Sequence, residues 1–200
     1  MKKYGILCGS RSGSTYLCDL LLSTNRCGKP QEFFNKSLNF TTNKHQLLHS
    51  YKTANDVFGA KIVGMPQLND FGHSGISLTH WIWLYREDSV LQAISRYIAF
   101  TTNGWHKQTE LPEYSYDGIA WCLDEVNKEN EYFGRLFTQI PHLKLSYETD
   151  ICDNPEQTII SILHYLNITT EELPKIKSVH KLTDHVNYTW KSRFNEENRA

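Results

Sequence analysis

The chain has no C-x-x-C pair, and its cysteines, Cys8, Cys18, Cys27, Cys122 and Cys152, are an odd set without metal-ligand spacing. That excludes a framework in which every thiol is bridged, and a zinc finger. Reduced thiols in a cytoplasm are expected. Excess charge of either sign is missing: 21 Lys and Arg stand against 22 Asp and Glu. This excludes a general basic footprint for nucleic acid or an anionic membrane. No apolar run approaches the roughly 20 residues of a membrane span. Lys2 and Lys3 lie too close to Gly9 and Ser10 for a signal-peptide core, so no leader or anchor is expected. Without an entry signal, the sequons at Asn35, Asn39, Asn167 and Asn187 read as chance. Pro and Gly are sparse, 6 and 11 in 200 residues, and 40% of the chain is apolar. A disordered or collagen-like chain is excluded. With a mean hydropathy of −0.51, a soluble globular class remains.

Two hundred residues suffice for one α/β domain with a sizeable core, so residues 1–200 are read as a single domain. Lys3 to Cys8 is a short apolar run ending in a Gly/Ser cluster. Leu17, Leu20, Leu21 and Leu22 then fall at helical spacing from Ser14 to Ser23. This predicts strand, tight loop, helix. Val57 to Val63 and Trp81 to Tyr85 read as buried strands, and Leu143 to Leu145 as a weaker fourth. Val90, Leu91, Ile94, Tyr97 and Ile98 predict a long helix capped by Asp88 or Ser89. Residues 101–116 read as a loop, 117–137 as a helix, and 155–166 as a helix capped by Asp153 or Asn154. The tail after Leu173 reads as polar and less regular. Alternating strands and helices imply a mostly parallel central sheet covered on both faces, a three-layer α/β/α fold.

The loop Gly9-Ser10-Arg11-Ser12-Gly13-Ser14-Thr15 stands between a strand and a helix. Free N–H groups and the helix dipole favour an anion there. It reads either as a phosphate cradle or as a Gly/Ser turn with a Ser cap. It is not a Walker A motif, since no Lys stands before Ser14.

These residues also carry a family likeness. Arg11-Ser12-Gly13-Ser14-Thr15, Gly28-Lys29-Pro30-Gln31-Glu32-Phe33-Phe34, Gly59-Ala60-Lys61, the stretch from Tyr85 to Tyr97, Tyr147-Glu148 and Trp190 to Phe194 occur in order. Together they resemble the bacterial trehalose 2-sulfotransferases and related lipopolysaccharide sulfotransferases. The resemblance implies a P-loop-like fold that binds 3′-phosphoadenosine 5′-phosphosulfate and moves its sulfuryl group to a hydroxyl of a sugar or glycolipid, without a metal. Adenosine 3′,5′-bisphosphate would be the other product. Homodimer pairing is also implied.

On that resemblance Arg11 contacts the 5′-phosphosulfate, and Ser12, Gly13, Ser14 and Thr15 complete the cradle. Arg86 and Ser95 hold the 3′-phosphate, with Arg193 adding a contact from the tail. Glu32 is the expected base for the attacking hydroxyl, its pKa raised by neighbouring aromatics. Lys61 is placed to stabilise the sulfuryl group, or else simply snorkels. Trp105, His106 and Tyr114 are candidates for a sugar pocket. Two other readings compete. A small-molecule kinase would need a lysine beside Ser14 and a magnesium-holding Asp, for which Asp88 is the near candidate. A non-catalytic nucleotide-binding protein would keep the cradle and lack turnover.

Overall fold

A computed structural model of the chain describes residues 1–38, 40, 43–105, 111–169 and 185–199. Among these, β1 (Lys2–Cys8), β2 (Val57–Val63), β3 (His80–Tyr85) and β4 (Leu143–Ser146) form an all-parallel sheet in the order β2-β1-β3-β4. The helices are α1 (Ser14–Ser23), α2 (Lys44–Tyr51), α3 (Gly64–His73), α4 (Ser89–Thr102), α5 (Tyr116–Phe137), α6 (Pro155–Tyr165) and α7 (His185–Glu197). A π-helical stretch, Tyr147–Asp153, leads from β4 to α6.

The strand period of two sends alternate residues to opposite layers. Tyr4, Ile6 and Cys8 of β1, with Ile82 and Leu84 of β3, pack on Leu17 and Leu21 of α1 and on Ile159 and Ile162 of α6. Leu7, Ile62 and Trp83 point the other way, onto Phe133 and Phe137 of α5. Phe58 and Ala60 share that layer with Leu47 and Leu48 of α2. With both faces covered, most positions of β1, β2 and β3 are buried, which is why these strands read as short apolar runs. The three-layer expectation holds.

The strand order positions the site. From β1 the chain goes to β2 on one side, and from β3 to β4 on the other, so the loops after the neighbouring strands β1 and β3 diverge. A crevice opens between such loops at the carboxyl ends of the strands. Cys8 lies opposite Val63 and Leu84, and Tyr85 opposite Ser146. Gly9, Gly64, Arg86 and Tyr147 therefore leave the sheet at one common edge.

The structure corrects several expectations. Thr101 and Thr102 still belong to α4, their hydroxyls donating to the Tyr97 and Ile98 carbonyls. The helix ends at Asn103, whose φ of 54° is left-handed. Asp88, one of the two expected caps of α4, accepts from the Leu91 N–H. Asn154 flanks α6 without a side-chain cap, because its amide donates instead to the Thr149 carbonyl, and α6 ends one residue early. The irregular tail is wrong for residues 185–197, which form α7. That helix is polar over most of its surface and is held by a few aromatic contacts, Phe194 on Tyr116 and Trp190 on Tyr97 and Tyr114. Tertiary packing decides it, not periodicity. Asn39 and His106 lie outside the described residues.

Candidate active site

The loop after β1 is bent tightly enough to aim its backbone at the crevice. Arg11 has φ +61° and Gly13 φ +83°, both left-handed, a conformation that a non-glycine residue holds only when its surroundings enforce it. Gly13 occupies the cap position of α1 with no side-chain cap bond, and α1 has no acidic residue in its first turn. Its N-terminal N–H groups and positive dipole end are thus left to another partner. The buried hydroxyls of Ser10 and Ser12 have no hydrogen-bond partner among the described residues. Ser14 is also buried, in the first turn of α1. A buried orphan hydroxyl is costly unless something arrives to satisfy it, so the loop fits an oxyanion.

The ring of Tyr147 roofs this loop. A Cβ on Gly13 would stand 2.1 Å from Tyr147 Cδ2. Gly13→Ala is therefore expected to cost about 1–3 kcal/mol through clash and positive φ. Thermal unfolding would show Tm falling by several degrees, and adding Tyr147→Ala should relieve only the clash.

Arg11 and Arg86 face one another across the crevice. Arg11 Nε donates to Ser95 Oγ of α4 at 2.9 Å, and its NH1 to the Trp105 carbonyl at 2.7 Å. Burial, and then the charge of Arg86, lower the Arg11 pKa from its usual value. Arg86 is buried, paired through Nε with Glu148 Oε1 at 3.3 Å, with its guanidinium 4.9 Å from the Tyr147 ring centroid. Glu148 also accepts from the Glu87 N–H at 2.9 Å, which fixes the carboxylate that orients Arg86. The two guanidiniums, of which Arg86 is paired with a carboxylate and Arg11 with neutral oxygens, offer cationic donors to a polyanion at this edge. Sequence reasoning set Arg11 and Ser95 at opposite ends of a nucleotide; the structure joins them directly.

Glu32, Lys61 and Thr15 meet on the β2 side of the loop. Lys61 Nζ lies 2.7 Å from Glu32 Oε1 and 3.2 Å from Thr15 Oγ1. Glu32 Oε2 accepts from Asn35 at 2.9 Å and from Gln67 of α3 at 3.0 Å. Here an expectation fails. Burial does push the Glu32 carboxyl up, but the Lys61 charge and the hydrogen bonds from Lys61, Asn35 and Gln67 outweigh it, so its pKa is lowered. The adjacent Phe33 turns instead into a cluster with Phe40, Tyr51 and Phe58. Lys61 does not snorkel. Burial would lower its pKa, yet neighbouring acidic groups, Cys18 and Glu32, raise it, so the pair is ionised on both sides.

Arg193 sits on α7 with its Nε 2.8 Å from Glu197 and its guanidinium 3.8 Å from the Tyr114 ring centroid. Its guanidinium is engaged by those two groups. Tyr114 is thereby tied to α7, whereas Trp105 contributes its carbonyl to Arg11. Among the described residues no group of three or more His, Cys, Asp and Glu is arranged as a metal site. Gln67, which ties Glu32 to α3, escaped sequence reasoning, as did Glu129 of α5 and Arg96 of α4, whose Oε2 and NH1 are 3.1 Å apart. Glu129 carried a signal: it interrupts the stripe Ile119, Cys122, Val126, Phe133, Phe137 that α5 buries.

The model of the Stf0 sulphotransferase family matches residues 3–49 and 70–197. These segments contain Arg11, Glu32, Arg86, Ser95 and Arg193; Lys61 falls between them. Among solved structures the chain is similar to the sulfotransferase domain from the Synechococcus PCC 7002 olefin synthase. The identity is 13% and the TM-score 0.56, over 100% of this chain and 88% of that one. This likeness shows the P-loop-like sulfotransferase fold. No curated protein matches the chain closely enough to count as a relative. With a family match over most of its length and the fold to go with it, the chain belongs to the Stf0 sulphotransferase family.

Proposed function

We propose that this sulfotransferase takes its sulfuryl group from 3′-phosphoadenosine 5′-phosphosulfate and gives it to a hydroxyl of a carbohydrate or glycolipid. The observation that supports the reading best is the pairing of the Arg11–Ser95 link with the Glu32–Lys61 pair on either side of one Gly/Ser loop. The first offers cationic binding for a nucleotide with two anionic ends. The second offers a proton acceptor beside a cation at the same loop.

Arg86, Ser95 and Arg193 would hold the 3′-phosphate, and Arg11, Ser12, Gly13, Ser14 and Thr15 the 5′-phosphosulfate, the Arg11 guanidinium exchanging its Ser95 bond for the ligand. The acceptor oxygen attacks sulfur in line while the bond from sulfur to the bridging phosphate oxygen breaks. The hydroxyl proton passes to Glu32. Negative charge gathers on the departing oxygen, where Arg11 and Lys61 would stabilise it. Adenosine 3′,5′-bisphosphate leaves, and no metal is needed for these steps. The five cysteines are unpaired, four of them buried, as suits a reducing cytoplasm. We read residues 1–200 as one transfer domain that works as a homodimer.

Calorimetric titration with adenosine 3′,5′-bisphosphate, set against AMP and ATP with magnesium, tests the donor. Binding that requires the 3′-phosphate and weakens with ionic strength is expected. Preference for ATP with magnesium would replace the reading with a kinase.

A further inference from the structure

α4 grips the loop after β1 by its backbone as well as through Arg11. Gln92, on the turn of α4 before Ser95, is 1% exposed. Its Nε2 donates to the Ser10 carbonyl at 2.8 Å, a contact that spans 82 residues of sequence. The amide sits against Gly9, where a Cβ would stand 3.0 Å from Gln92 Nε2 and 3.1 Å from Glu129 Oε2. A residue without a side chain lets α4 and α5 close on the backbone at this point. Arg96, one turn after Gln92, holds Glu129 there, NH1 to Oε2 at 3.1 Å.

The two ends of the Gln92 amide are unequally used. Nε2 has its acceptor, whereas Oε1 is buried with no hydrogen-bond partner among the described residues. A buried acceptor left unpaired is destabilising, so packing alone would be served better by an aliphatic side chain of the same length. What the amide supplies is one donor aimed at one carbonyl.

That carbonyl decides which way the next N–H faces. The Ser10–Arg11 peptide is trans, and in a planar trans peptide the C=O and N–H point in opposite directions. With the Ser10 carbonyl drawn to Gln92, the Arg11 N–H is turned away from it. No backbone carbonyl among the described residues accepts that N–H, and the unpartnered hydroxyls of Ser10 and Ser12 belong to the residues on either side of it. Arg11 itself has φ +61°, a conformation that its surroundings must enforce. Gln92 holds the peptide before it, and Arg86 NH1 reaches the Arg11 carbonyl after it at 3.5 Å.

We propose that Gln92 is a positioning residue for the sulfuryl donor. By holding the Ser10 carbonyl it aims the Arg11 N–H and keeps the loop in the shape that receives the 5′ end of the nucleotide, acting through the backbone and not by contact with the ligand. This rests on the donor reading above and deepens it, since α4 would then set the geometry at the 5′ end while its Ser95 serves the 3′ end. A loop already in place loses less entropy when the anion arrives. The contribution of Gln92 therefore belongs to recognition of the 5′ group alone.

The test compares adenosine 3′,5′-bisphosphate with adenosine 3′-monophosphate, which lacks the group the loop would hold, by calorimetric titration. Wild-type protein is expected to prefer the bisphosphate. Gln92→Met keeps the length of the side chain and loses the donor. In it that preference should shrink about tenfold, or roughly 1.4 kcal/mol, with the affinity for the 3′-monophosphate changed by less than about twofold. Gly9→Ala reaches the same contact from the loop, its Cβ displacing the amide, and should shrink the preference without adding to the effect of Gln92→Met in the double variant. Thermal unfolding shows which variants fold, and either one alone decides the question. A preference unchanged in the folded variants, or both ligands weakened by the same factor, overturns the assignment and leaves Gln92 a structural role only. Wild-type protein that binds the two ligands equally overturns the 5′ half of the donor reading, and the inference with it.

Discussion

Arg86→Ala is expected to weaken adenosine 3′,5′-bisphosphate binding about 10- to 100-fold, the loss of roughly 1.5–3 kcal/mol in charge-assisted hydrogen bonds. Arg86 is 6% exposed and held on two sides, by Glu148 and by the Tyr147 ring. It meets an incoming phosphate already oriented, so little side-chain entropy is lost on binding. The variant also leaves the Glu148 carboxylate without its counter-charge, with the Glu87 N–H as its remaining hydrogen-bond donor among the described residues, and the carboxylate repels the same phosphate. Glu148→Gln keeps the cation and loosens its orientation, and should cost less. Arg193→Ala should cost least, since that guanidinium is already shared between Glu197 and Tyr114. Titrations at two ionic strengths sort the three: the Arg86 variant should lose more of the salt dependence than the other two, with the part due to Arg11 retained. Equal affinities in wild type and Arg86→Ala would remove Arg86 from the donor site.

How legible the fold was depends on what holds each element. β1, β2 and β3 are buried on both faces, so their apolar runs marked them within one residue at either end. α1, α4 and α5 carry apolar stripes that meet the sheet or each other, and the Asp88 cap of α4 could be read directly. α2 and α3 carried weaker signals. α3 buries only Gly64 completely and opens on Met65-Pro66, so its sequence looks like a turn with a proline. α7 depends on aromatic partners on α4, α5 and the segment before α5, which no local pattern shows.

The site divided in the same way. The glycine-serine loop and the strand-end arginine were legible because backbone geometry at a strand end creates the need for them. The contacts that tune them were not. Glu148 stood in the Tyr147-Glu148 motif without a role, and it, Gln67 and Glu129 act through contacts 62, 35 and 33 residues away in sequence. The sign of the Glu32 shift went wrong for this reason. Its neighbours in sequence are phenylalanines, whereas its neighbours in space are an ammonium and two amides.

That sign sets the second expected result. Glu32→Gln should lower the rate of sulfuryl transfer about 100- to 10,000-fold, the range for loss of a general base. Adenosine 3′,5′-bisphosphate binding should barely change, because the Arg11–Ser95–Arg86 group is untouched. The base form is the ionised one, and Lys61 with Asn35 and Gln67 holds its pKa below the ordinary value. Activity should therefore stay on its plateau through mild acid and fall only as pH drops through that lowered pKa. Lys61→Met removes the opposing charge and leaves burial to dominate, so its acid limb should move to higher pH, alongside a direct rate loss. The same pair contributes to folding. A depressed Glu32 pKa gives stability that is present above the unfolded-state pKa and lost as pH falls through the folded one. The raised Lys61 pKa gives stability present below its unfolded-state value and lost as pH rises through the folded one. Glu32→Gln leaves a buried ammonium without its counter-charge, so its stability should be checked by denaturant unfolding before rates are compared. A folded Glu32→Gln protein with wild-type turnover would assign the proton to another group. Glu129, the carboxylate beside Gly9 and Gly64 at this edge, would then be the first to replace.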